Sequence, residues 1–337
     1  MQPDISIDDH DKVFELIMAG VGSQAIRTMA ALSVAEHLAT GPLSVGQIAE
    51  RESSDPDMTY RVLRAGVALG LLEYDADTSL FSGTRLLGVL HRDAPACLKH
   101  YALAGISDAF WLPLVRMPDA VSRGANYVRE MLGSSAFEFL GRHAEDARLF
   151  SRAMTDLSTP VIREASDALD VSNVVSVVDV GGADGAFVAE LLQRHPHLHG
   201  VVFDLAAVVP GVAEEARRRG LDKRLTAAAG DFFVEAPAAD LYLLKFILHD
   251  WDDESCRTIL RNIRQAMNPG ARVVIVEMTV GQNALSAVLL DLAMMSNFTG
   301  REREASEFER LLESADLKAE RISPLRAPYQ LIEAVAV

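Results

Sequence analysis

The second half of the chain alternates short, strongly apolar runs with longer segments of helical periodicity. The most apolar run, residues 174–180, contains five valines in seven positions. Such a run is too apolar and too β-branched for a surface strand or an amphipathic helix, so it predicts a buried parallel strand. Strands that alternate with helices predict an α/β fold with a doubly wound, mostly parallel sheet. The other predicted strands cover residues 201–204, 224–231, 240–248, 272–277 and 330–337.

The first hundred residues predict helices followed by a β-hairpin, which is the plan of a winged helix. Ser44 and Gln47 have the spacing of a capping box, and Asp55 before Pro56 is a second helix start. A turn at residues 75–78 separates the two short strands of the hairpin. The predicted elements are a helix over residues 11–39, a short helix to about residue 52, a third helix carrying Tyr60, Leu63, Val67 and Leu71, and a hairpin over residues 71–81.

Residues 96–170 predict helices without a strand, and Ala94-Pro95 marks a boundary before them. We therefore expect three parts: a first domain at residues 1–95, a helical linker at 96–165, and an α/β domain at 166–337. Aromatic residues in the middle part could line a pocket for a planar substrate, or they could fill a helical core. They are Phe110, Trp111, Tyr127, Phe137 and Phe139.

A glycine turn follows the most apolar strand. Gly181, Gly182 and Gly185 allow a sharp bend that brings backbone N–H groups to a ligand at a helix N-terminus. The dinucleotide pattern G-x-G-x-x-G fails, because alanines stand where its second and third glycines would fall. Asp179 and Asp184 repel a pyrophosphate but suit an amino group or a sulfonium. The turn therefore favours the amino-acid end of S-adenosylmethionine, unless it only joins a strand to a helix.

Polar residues stand at the carboxyl ends of the predicted strands, where ligands bind in sheets of this kind. Asp204 could bind two ribose hydroxyls or cap a turn. Asp231 and Phe232 could bind an adenine amino group and stack on the base, or cap a loop and fill the core. His249 could take a proton from a phenol or enol. Glu277 could hold the imidazole ring and stabilise its cation.

Composition and charge disfavour several classes of function. The net charge of −16 and the absence of a basic block disfavour a nucleic-acid partner. Arg61 and Arg64 would lie on the DNA-reading helix of a winged-helix regulator, so that class stays open as the less favoured alternative. No apolar run is long enough for a membrane span. Cys97 and Cys256 are far apart and lack metal-ligand spacing, which indicates a reducing cytoplasm and no metal.

The predicted long helix at residues 11–39 has an apolar stripe with no evident partner within the chain. Phe14, Ile17, Val21 and Met29 belong to it. An exposed apolar stripe of that length is unusual on a monomer. We therefore expect a homodimer formed through the first domain.

Six segments occur in one order: Asp179-Val-Gly-Gly-Ala-Asp-Gly185, Phe203-Asp-Leu205, Gly230-Asp-Phe-Phe233, Leu244-Lys-Phe-Ile-Leu-His-Asp-Trp-Asp-Asp-Glu254, Asn268-Pro-Gly270 and Gly300-Arg-Glu-Arg303. Together they resemble the caffeic-acid-type small-molecule O-methyltransferases, especially bacterial members that modify natural products. The resemblance covers essentially the whole chain. It implies a Rossmann-like class I methyltransferase domain preceded by an all-α, winged-helix dimerisation domain.

The resemblance also implies roles for individual residues. His249 would be the general base, flanked by Glu277 and Glu302. The residues that would bind S-adenosylmethionine are Ser158, Gly181, Asp204, Asp231, Phe232 and Lys245. The residues that would line the substrate pocket are Met154, Asp250, Met294 and Asn297. The implied reaction is transfer of a methyl group to a hydroxyl of a small aromatic or polyketide-like metabolite, without a metal or a membrane partner.

The sequence departs from the family pattern at two places. Ala183 replaces the usual third glycine, a change that we expect to be tolerated with a negative φ. Thr299-Gly300 replaces the usual Gly-Gly, so the acceptor remains open among phenols, quinones, enols, carboxylates and amines. Relatives of this fold that bind S-adenosylmethionine but catalyse hydroxylation, decarboxylation or pericyclic steps are the second alternative. For methyl transfer we expect His249, with a reference pKa of about 6.5, to be neutral at cytoplasmic pH.

Overall fold

The computed structural model describes residues 6–281 and 284–337. Residues 1–5 of the predicted first domain lie outside the described residues. The chain forms two compact units. The first consists of the chain up to Trp111 together with Glu145–Leu157, and the second of Leu112–Ala144 with Ser158–Val337.

The first unit contains the predicted helices and hairpin. Ser44 and Gln47 form the expected capping box, and the Asp55 side chain accepts a hydrogen bond from the Met58 N–H at the next helix start. The predicted starts of the two later helices and the hairpin that follows them are thus confirmed. The elements are α1 (Ile7–Ala31), α2 (Val34–Leu38), α3 (Val45–Glu52), α4 (Pro56–Ala68), β1 (Leu72–Asp75) and β2 (Leu80–Gly83), with β1 and β2 antiparallel.

The long helix predicted over residues 11–39 is two helices. Ser33 has a left-handed backbone (φ 45°), and this ends the run of helical hydrogen bonds between α1 and α2. The helix also begins earlier than predicted, because Ser6 and Asp9 form a capping box before Ile7. The C-terminal half of α1 packs into the core of the unit through Met29, whereas Phe14, Ile17 and Val21 are exposed.

The middle of the chain is helical, as predicted, and none of residues 96–170 lies in a strand. Helix α9 begins with a capping box between Ser135 and Glu138. Helix α10 is 25 residues long and leads to the first strand of the large sheet. The helices are α5 (Lys99–Ala104), α6 (Asp108–Val115), α7 (Met117–Arg123), α8 (Val128–Leu132), α9 (Ala136–Arg142) and α10 (Ala144–Ala168).

The second unit is built on a seven-stranded sheet in the order β5-β4-β3-β6-β7-β9-β8. The pairs among β3 to β7 are parallel, and β9 is antiparallel to both β7 and β8. The sequence pattern did not predict β8, because its charged residues hide the strand alternation. The strands are β3 (Ser176–Val180), β4 (His199–Asp204), β5 (Leu225–Ala229), β6 (Ala239–Lys245), β7 (Met267–Met278), β8 (Leu317–Pro324) and β9 (Tyr329–Ala336).

Helices connect these strands and cover the sheet. Val177, Val178 and Val180 of β3 are fully buried, as the valine run predicted. A Cβ atom on Gly200 of β4 would lie 2.4 Å from Val188, so this glycine lets a helix pack closely on the sheet. The helices are α11 (Ala186–Arg194), α12 (Val212–Arg218), α13 (Asp253–Ala266), α14 (Leu285–Asn297) and α15 (Ala305–Glu313).

The parallel strands bring their carboxyl ends to one edge of the sheet, and this edge carries the predicted site residues. Asp204 ends β4, Lys245 ends β6, and Glu277 is the second-last residue of β7. Within residues 6–281 and 284–337, no helix combines the length and the apolar character that crossing a bilayer requires.

Candidate active site

The turn after β3 requires glycine at two positions. Gly181 has φ +65°, and a Cβ atom there would lie 2.5 Å from Cδ1 of Ile247. A Cβ atom on Gly182 would lie 2.6 Å from Cγ of Asp179. Asp179 is buried and accepts a hydrogen bond from the Val188 N–H at 3.2 Å, which joins the strand to the first turn of α11. Burial raises the pKa of Asp179 to about 7, although the charge of Lys245 opposes this.

Ala183 does not have the negative φ that we expected. Its φ is +51°, in the left-handed region that favours glycine. The Ala183 N–H donates to Oδ2 of Asp204 at 2.9 Å, so the shape of the turn holds the alanine in this conformation. The replacement of the family's glycine is therefore strained.

We expect Ala183→Gly to raise the free energy of unfolding by about 1 kcal/mol, because it removes the steric cost of a left-handed alanine. Thermal or urea unfolding measures this change. Ala189→Gly, in the middle of α11, is the control and should destabilise the protein, because there glycine only adds entropy to the unfolded chain and loses packing. Destabilisation by both changes would show that the turn stores no strain.

Asp204 shapes the glycine turn with both carboxylate oxygens. Oδ2 accepts from the Ala183 N–H and Oδ1 from the Leu205 N–H at 2.7 Å. Burial raises the pKa of Asp204, and these two hydrogen bonds oppose the rise. A carboxylate has about four acceptor positions, so two remain for ligand hydroxyl groups.

The next strand places Asp231 and Phe232 beside the same turn. Asp231 is exposed, and its Oδ1 accepts a hydrogen bond from the Phe233 N–H at 2.8 Å. This hydrogen bond is the loop cap that the sequence offered as the alternative to adenine binding. The ring of Phe232 would lie 3.6 Å from a Cβ atom on Gly181, so it flanks the glycine turn. Burial lowers the pKa of Lys245, and the negative charges of Asp179, Asp184 and Glu277 offset part of this decrease.

His249 lies in a short turn just past β6 and is 7% exposed. Its Nδ1–H donates to Oε1 of Glu302 at 2.7 Å. Oε2 of Glu277 is 3.8 Å from the same nitrogen, and Oδ1 of Asp250 is 3.6 Å from Nε2. The ring therefore has a carboxylate hydrogen bond on one side and its second nitrogen turned toward another carboxylate.

Glu302 holds the ring, which was the role we had expected of Glu277. Glu277 instead holds the backbone, because its Oε1 accepts from the N–H groups of Ile247 at 3.0 Å and Leu248 at 2.9 Å. The Glu302 backbone N–H donates to Oδ1 of Asp291 at 2.9 Å. The second oxygens of Glu277 and Glu302 are buried and accept no hydrogen bond among the described residues. They leave the imidazole in a strongly negative environment.

These charges change the protonation state expected for His249. Burial alone would lower its pKa, but the charges of Glu277, Asp250 and Glu302 raise it to about 10. Burial also raises the pKa of Glu277 to about 7 and that of Asp250 to about 6. This direction opposes the expectation of a neutral imidazole: in the site without ligands, the surrounding carboxylates favour the protonated ring at neutral pH.

Two family models match this chain. An O-methyltransferase domain matches residues 115–318, and an O-methyltransferase dimerisation domain matches residues 14–93. The first match alone spans more than half of the chain. This chain belongs to the O-methyltransferase family. The family and the fold class predicted from the sequence are confirmed.

Known relatives agree with this assignment over nearly the full length. The O-methyltransferase SfmM3 of Streptomyces lavendulae is 33% identical, over 95% of this chain and 98% of that protein. The aclacinomycin 10-hydroxylase RdmB of Streptomyces purpurascens is 31% identical, over 94% and 87%. The crystal structure of LaPhzM has a TM-score of 0.92 at 27% identity, over 97% of this chain and 99% of that chain.

Several solved neighbours carry ligands. The O-methyltransferase NcsB1 from neocarzinostatin biosynthesis was solved with S-adenosylmethionine and 2-hydroxy-5-methyl naphthoic acid. It has a TM-score of 0.80 at 28% identity and covers 94% of this chain and 96% of that chain. Such neighbours support S-adenosylmethionine as the cofactor, as predicted from the sequence.

The predicted substrate residues of this O-methyltransferase fall in different places. Met294 and Asn297 are buried on α14, and the Asn297 amide donates to the Ala293 carbonyl at 3.1 Å. Ser158, predicted to bind the cofactor, is fully buried on the part of α10 that belongs to the second unit. Met154 lies on the part of α10 that belongs to the first unit.

Among the aromatic candidates, Phe137 reaches the loop that carries His249. Its ring stacks on Trp251, with centroids 5.5 Å apart, and lies 5.3 Å from Phe298. Trp251 also meets Phe233 at 4.8 Å. Neither Trp251 nor Phe298 has a role predicted from the sequence, although both stand in or beside the family segments. The other candidates pack elsewhere: Phe110 on Phe150, Trp111 near Gly20, Tyr127 under Arg116 and Arg123, and Phe139 on His143.

Two groups of side chains in the described part of the O-methyltransferase have metal-binding chemistry. One is His249 with Glu277 and Glu302. The other is Cys97, His100 and Asp156 in the first unit, a Cys-x-x-His spacing that sequence analysis missed. In this second group, one oxygen of Asp156 accepts from the Cys97 thiol at 3.3 Å and from the His100 ring at 2.9 Å. These hydrogen bonds account for the arrangement of the three side chains.

Proposed function

We propose that this enzyme transfers a methyl group from S-adenosylmethionine to a hydroxyl of a small aromatic or polyketide-like metabolite, with His249 as general base. One observation carries the proposal. A buried imidazole, held at Nδ1 by Glu302, lies two residues from Ile247, whose side chain closes on the glycine turn. This arrangement puts a strong base next to a turn suited to the amino-acid end of the cofactor.

The residues at the carboxyl edge fit the cofactor. Gly181 and Gly182 keep a cradle open that a Cβ atom would fill, and Asp204 keeps two acceptor positions for ribose hydroxyls. Phe232 offers a ring beside the turn, and Asp231 an exposed carboxylate for the adenine amino group. Lys245 and Ser158 complete the proposed set. When bound, S-adenosylmethionine supplies an electrophilic methyl group on a sulfonium.

The rings around Trp251 support a planar acceptor. Phe137 contacts both Trp251, on the loop that carries His249, and Phe298, and the NcsB1 structure contains a naphthoic acid. Asp250, near Nε2 of His249, is the proposed polar contact for the acceptor. Met294 and Asn297, and Met154 on the basis of the family resemblance, are the remaining proposed substrate residues.

In the proposed mechanism, the protein positions the acceptor and removes one proton. Because the surrounding carboxylates favour a protonated ring at neutral pH, the reactive fraction of the enzyme is the one in which Nε2 of His249 is unprotonated. In that fraction Nε2 takes the proton of the acceptor O–H while Nδ1–H stays bonded to Glu302. Glu277 and Glu302 stabilise the imidazolium that forms, as a carboxylate does beside a catalytic histidine. The oxygen, now negatively charged, is the nucleophile of an in-line displacement.

A methylation assay tests this function. The purified enzyme is incubated with S-adenosylmethionine and a panel of phenols, hydroxynaphthoates, hydroxyquinones and aromatic amines, and mass spectrometry follows S-adenosylhomocysteine and methylated products. We expect O-methylated product from at least one planar hydroxylated acceptor. S-adenosylhomocysteine formed only with amine acceptors, or an oxygenated product without methylation, would contradict the proposal. An oxygenated product is what the name of the relative RdmB, a hydroxylase, would lead one to expect. The assay must therefore distinguish hydroxylation from methylation.

We expect Asp204→Ala to weaken S-adenosylmethionine binding more than Asp231→Ala. Asp204 loses both its ribose acceptors and its hold on the Ala183 N–H, whereas Asp231 is exposed. Isothermal calorimetry measures both. Asp222→Ala is the control, because Asp222 is an exposed residue at the opposite end of β5. Wild-type affinity in both test variants would remove these carboxylates from the cofactor site.

We further propose that the enzyme is a homodimer that pairs through residues 1–95. In the same proposal, residues 96–165 are a helical linker that contributes to the substrate pocket, and residues 166–337 are the methyltransferase domain. The match to a dimerisation domain and the exposed Phe14, Ile17 and Val21 of α1 support the pairing. Light scattering at micromolar concentration should give twice the chain mass of 36.6 kDa. A monomer would contradict the pairing. We also propose that residues 1–95 do not bind DNA, and a salt-sensitive shift of duplex DNA would contradict that second proposal. The two free, buried cysteines support a cytoplasmic location, which cell fractionation would test.

A further inference from the structure

The turn that carries His249 has a strained backbone. It begins at Phe246, whose φ of +57° is unusual for a bulky residue. Such strain persists only where the surroundings determine the conformation. The N–H groups of Ile247 and Leu248 are held by Glu277, as described above. The carbonyl groups of the same turn need hydrogen-bond donors, which Glu277 cannot supply.

Arg303 satisfies those carbonyl groups. Its side chain is 1% exposed, and its Nη1 donates to the Leu248 carbonyl at 2.7 Å. Its Nη2 donates to the Trp251 carbonyl at 2.8 Å and to Oδ1 of Asp253 at 2.7 Å. The guanidinium therefore spans His249 from both sides, bonding the residue before it and the second residue after it. Only a planar, forked donor can reach these partners together.

The segment that carries Arg303 is itself fixed against the turn. A Cβ atom on Gly300 would lie 2.1 Å from the His249 carbonyl oxygen and 2.3 Å from the Trp251 nitrogen. The backbone of Arg303 forms a bridge with Thr279, just past the strand that ends near Glu277. Glu302, which holds the imidazole, stands one residue before Arg303. One segment thus sets both the backbone and the ring of His249.

We propose that Arg303 is a positioning residue for methyl transfer: it holds the His249 turn in the one conformation in which the ring meets Glu302. The inference rests on the proposed role of His249 as base. Arg303 touches neither ring nitrogen, and it acts through the carbonyl groups on the two sides of the histidine. Its effect is therefore expected on the rate of the chemical step and on the protonation of the ring, rather than on cofactor affinity.

The test compares Arg303→Lys with Arg301→Met and His249→Ala. Lysine keeps the charge but cannot bond both carbonyls and the carboxylate. We expect Arg303→Lys to lower kcat by about 10- to 100-fold, the scale of a small misplacement of a catalytic group, with cofactor affinity within about threefold of wild type. The pH at which kcat/KM stops rising should also fall, because a ring displaced from Glu302 loses the charge that raises its pKa.

Arg301→Met is the matched control, since Arg301 is half-exposed and pairs with Glu307 and the same Asp253. It should leave kcat and the pH profile unchanged. Asp253→Asn, which keeps both carbonyl bonds of Arg303, should give an intermediate effect and serves if Arg303→Lys does not fold. The inference about Arg303 would be overturned if Arg303→Lys had the wild-type kcat and pH profile, or if it lost cofactor affinity and activity in parallel. The role of His249 as base would still stand in that case, provided that His249→Ala is impaired. An unimpaired His249→Ala would overturn both.

Discussion

His249→Ala is expected to lower the rate of methyl transfer by about 10²–10⁴-fold, the usual contribution of a positioned base. The imidazole is the group that takes the acceptor's proton, and the buried carboxylates around it stabilise the cation that forms. Single-turnover measurements with saturating cofactor report the chemical step. Cofactor affinity, measured separately by calorimetry, should stay near the wild-type value.

Two further variants make this result specific. His199→Ala removes an exposed histidine at the start of β4, on the opposite edge of the sheet, and should leave the rate unchanged. Glu302→Gln keeps the shape of the side chain that bonds Nδ1 but removes its charge, and should lower the rate less than His249→Ala. If His249→Ala turned over at the wild-type rate, the proton would leave by another route.

The pH dependence should be steep, with kcat/KM for a simple phenol rising about tenfold per pH unit through the neutral range. Methyl transfer requires that the His249 ring and the acceptor hydroxyl together carry one titratable proton. Below the pKa values of both groups they carry two, so the reactive fraction grows with pH until the lower of the two pKa values is reached. His249 has its pKa raised to about 10 and a phenol has one of about 10, so the rise should continue to about pH 10.

The acceptor provides the control for this prediction. An acceptor whose hydroxyl has a pKa of about 7 should show the break near pH 7, because the acceptor then has the lower pKa of the pair. Glu302→Gln should move the break for the simple phenol to lower pH, because one of the charges that raise the pKa of His249 is gone. A plateau from about pH 6.5 with the simple phenol would show that the ring titrates like an ordinary histidine.

The pattern of apolar residues was enough to predict most of the sheet, because buried parallel strands need a continuous apolar run that few other structures tolerate. It failed for β8, where Lys318, Glu320 and Arg321 conceal the strand. It also failed at Ser33, where a single left-handed residue divides the first long helix. A left-handed conformation at one residue does not change the spacing of the apolar residues around it. Because serine also occurs within helices, the sequence pattern does not predict this break.

The sequence alone determined the family, the parallel core, and the carboxyl edge at which Asp204, Lys245, His249 and Glu277 would meet. Strand ends follow from strand periodicity, and parallel strands bring those ends together. The tertiary structure decided what each group does there. Glu302 is 53 residues from His249 along the chain, yet it holds the ring at 2.7 Å, while Glu277 holds the backbone. The raised pKa of His249, the strain at Ala183 and the clamp by Arg303 depend on distances between segments that are remote in sequence. Charge interactions and backbone strain depend on those distances, which no pattern along the chain contains.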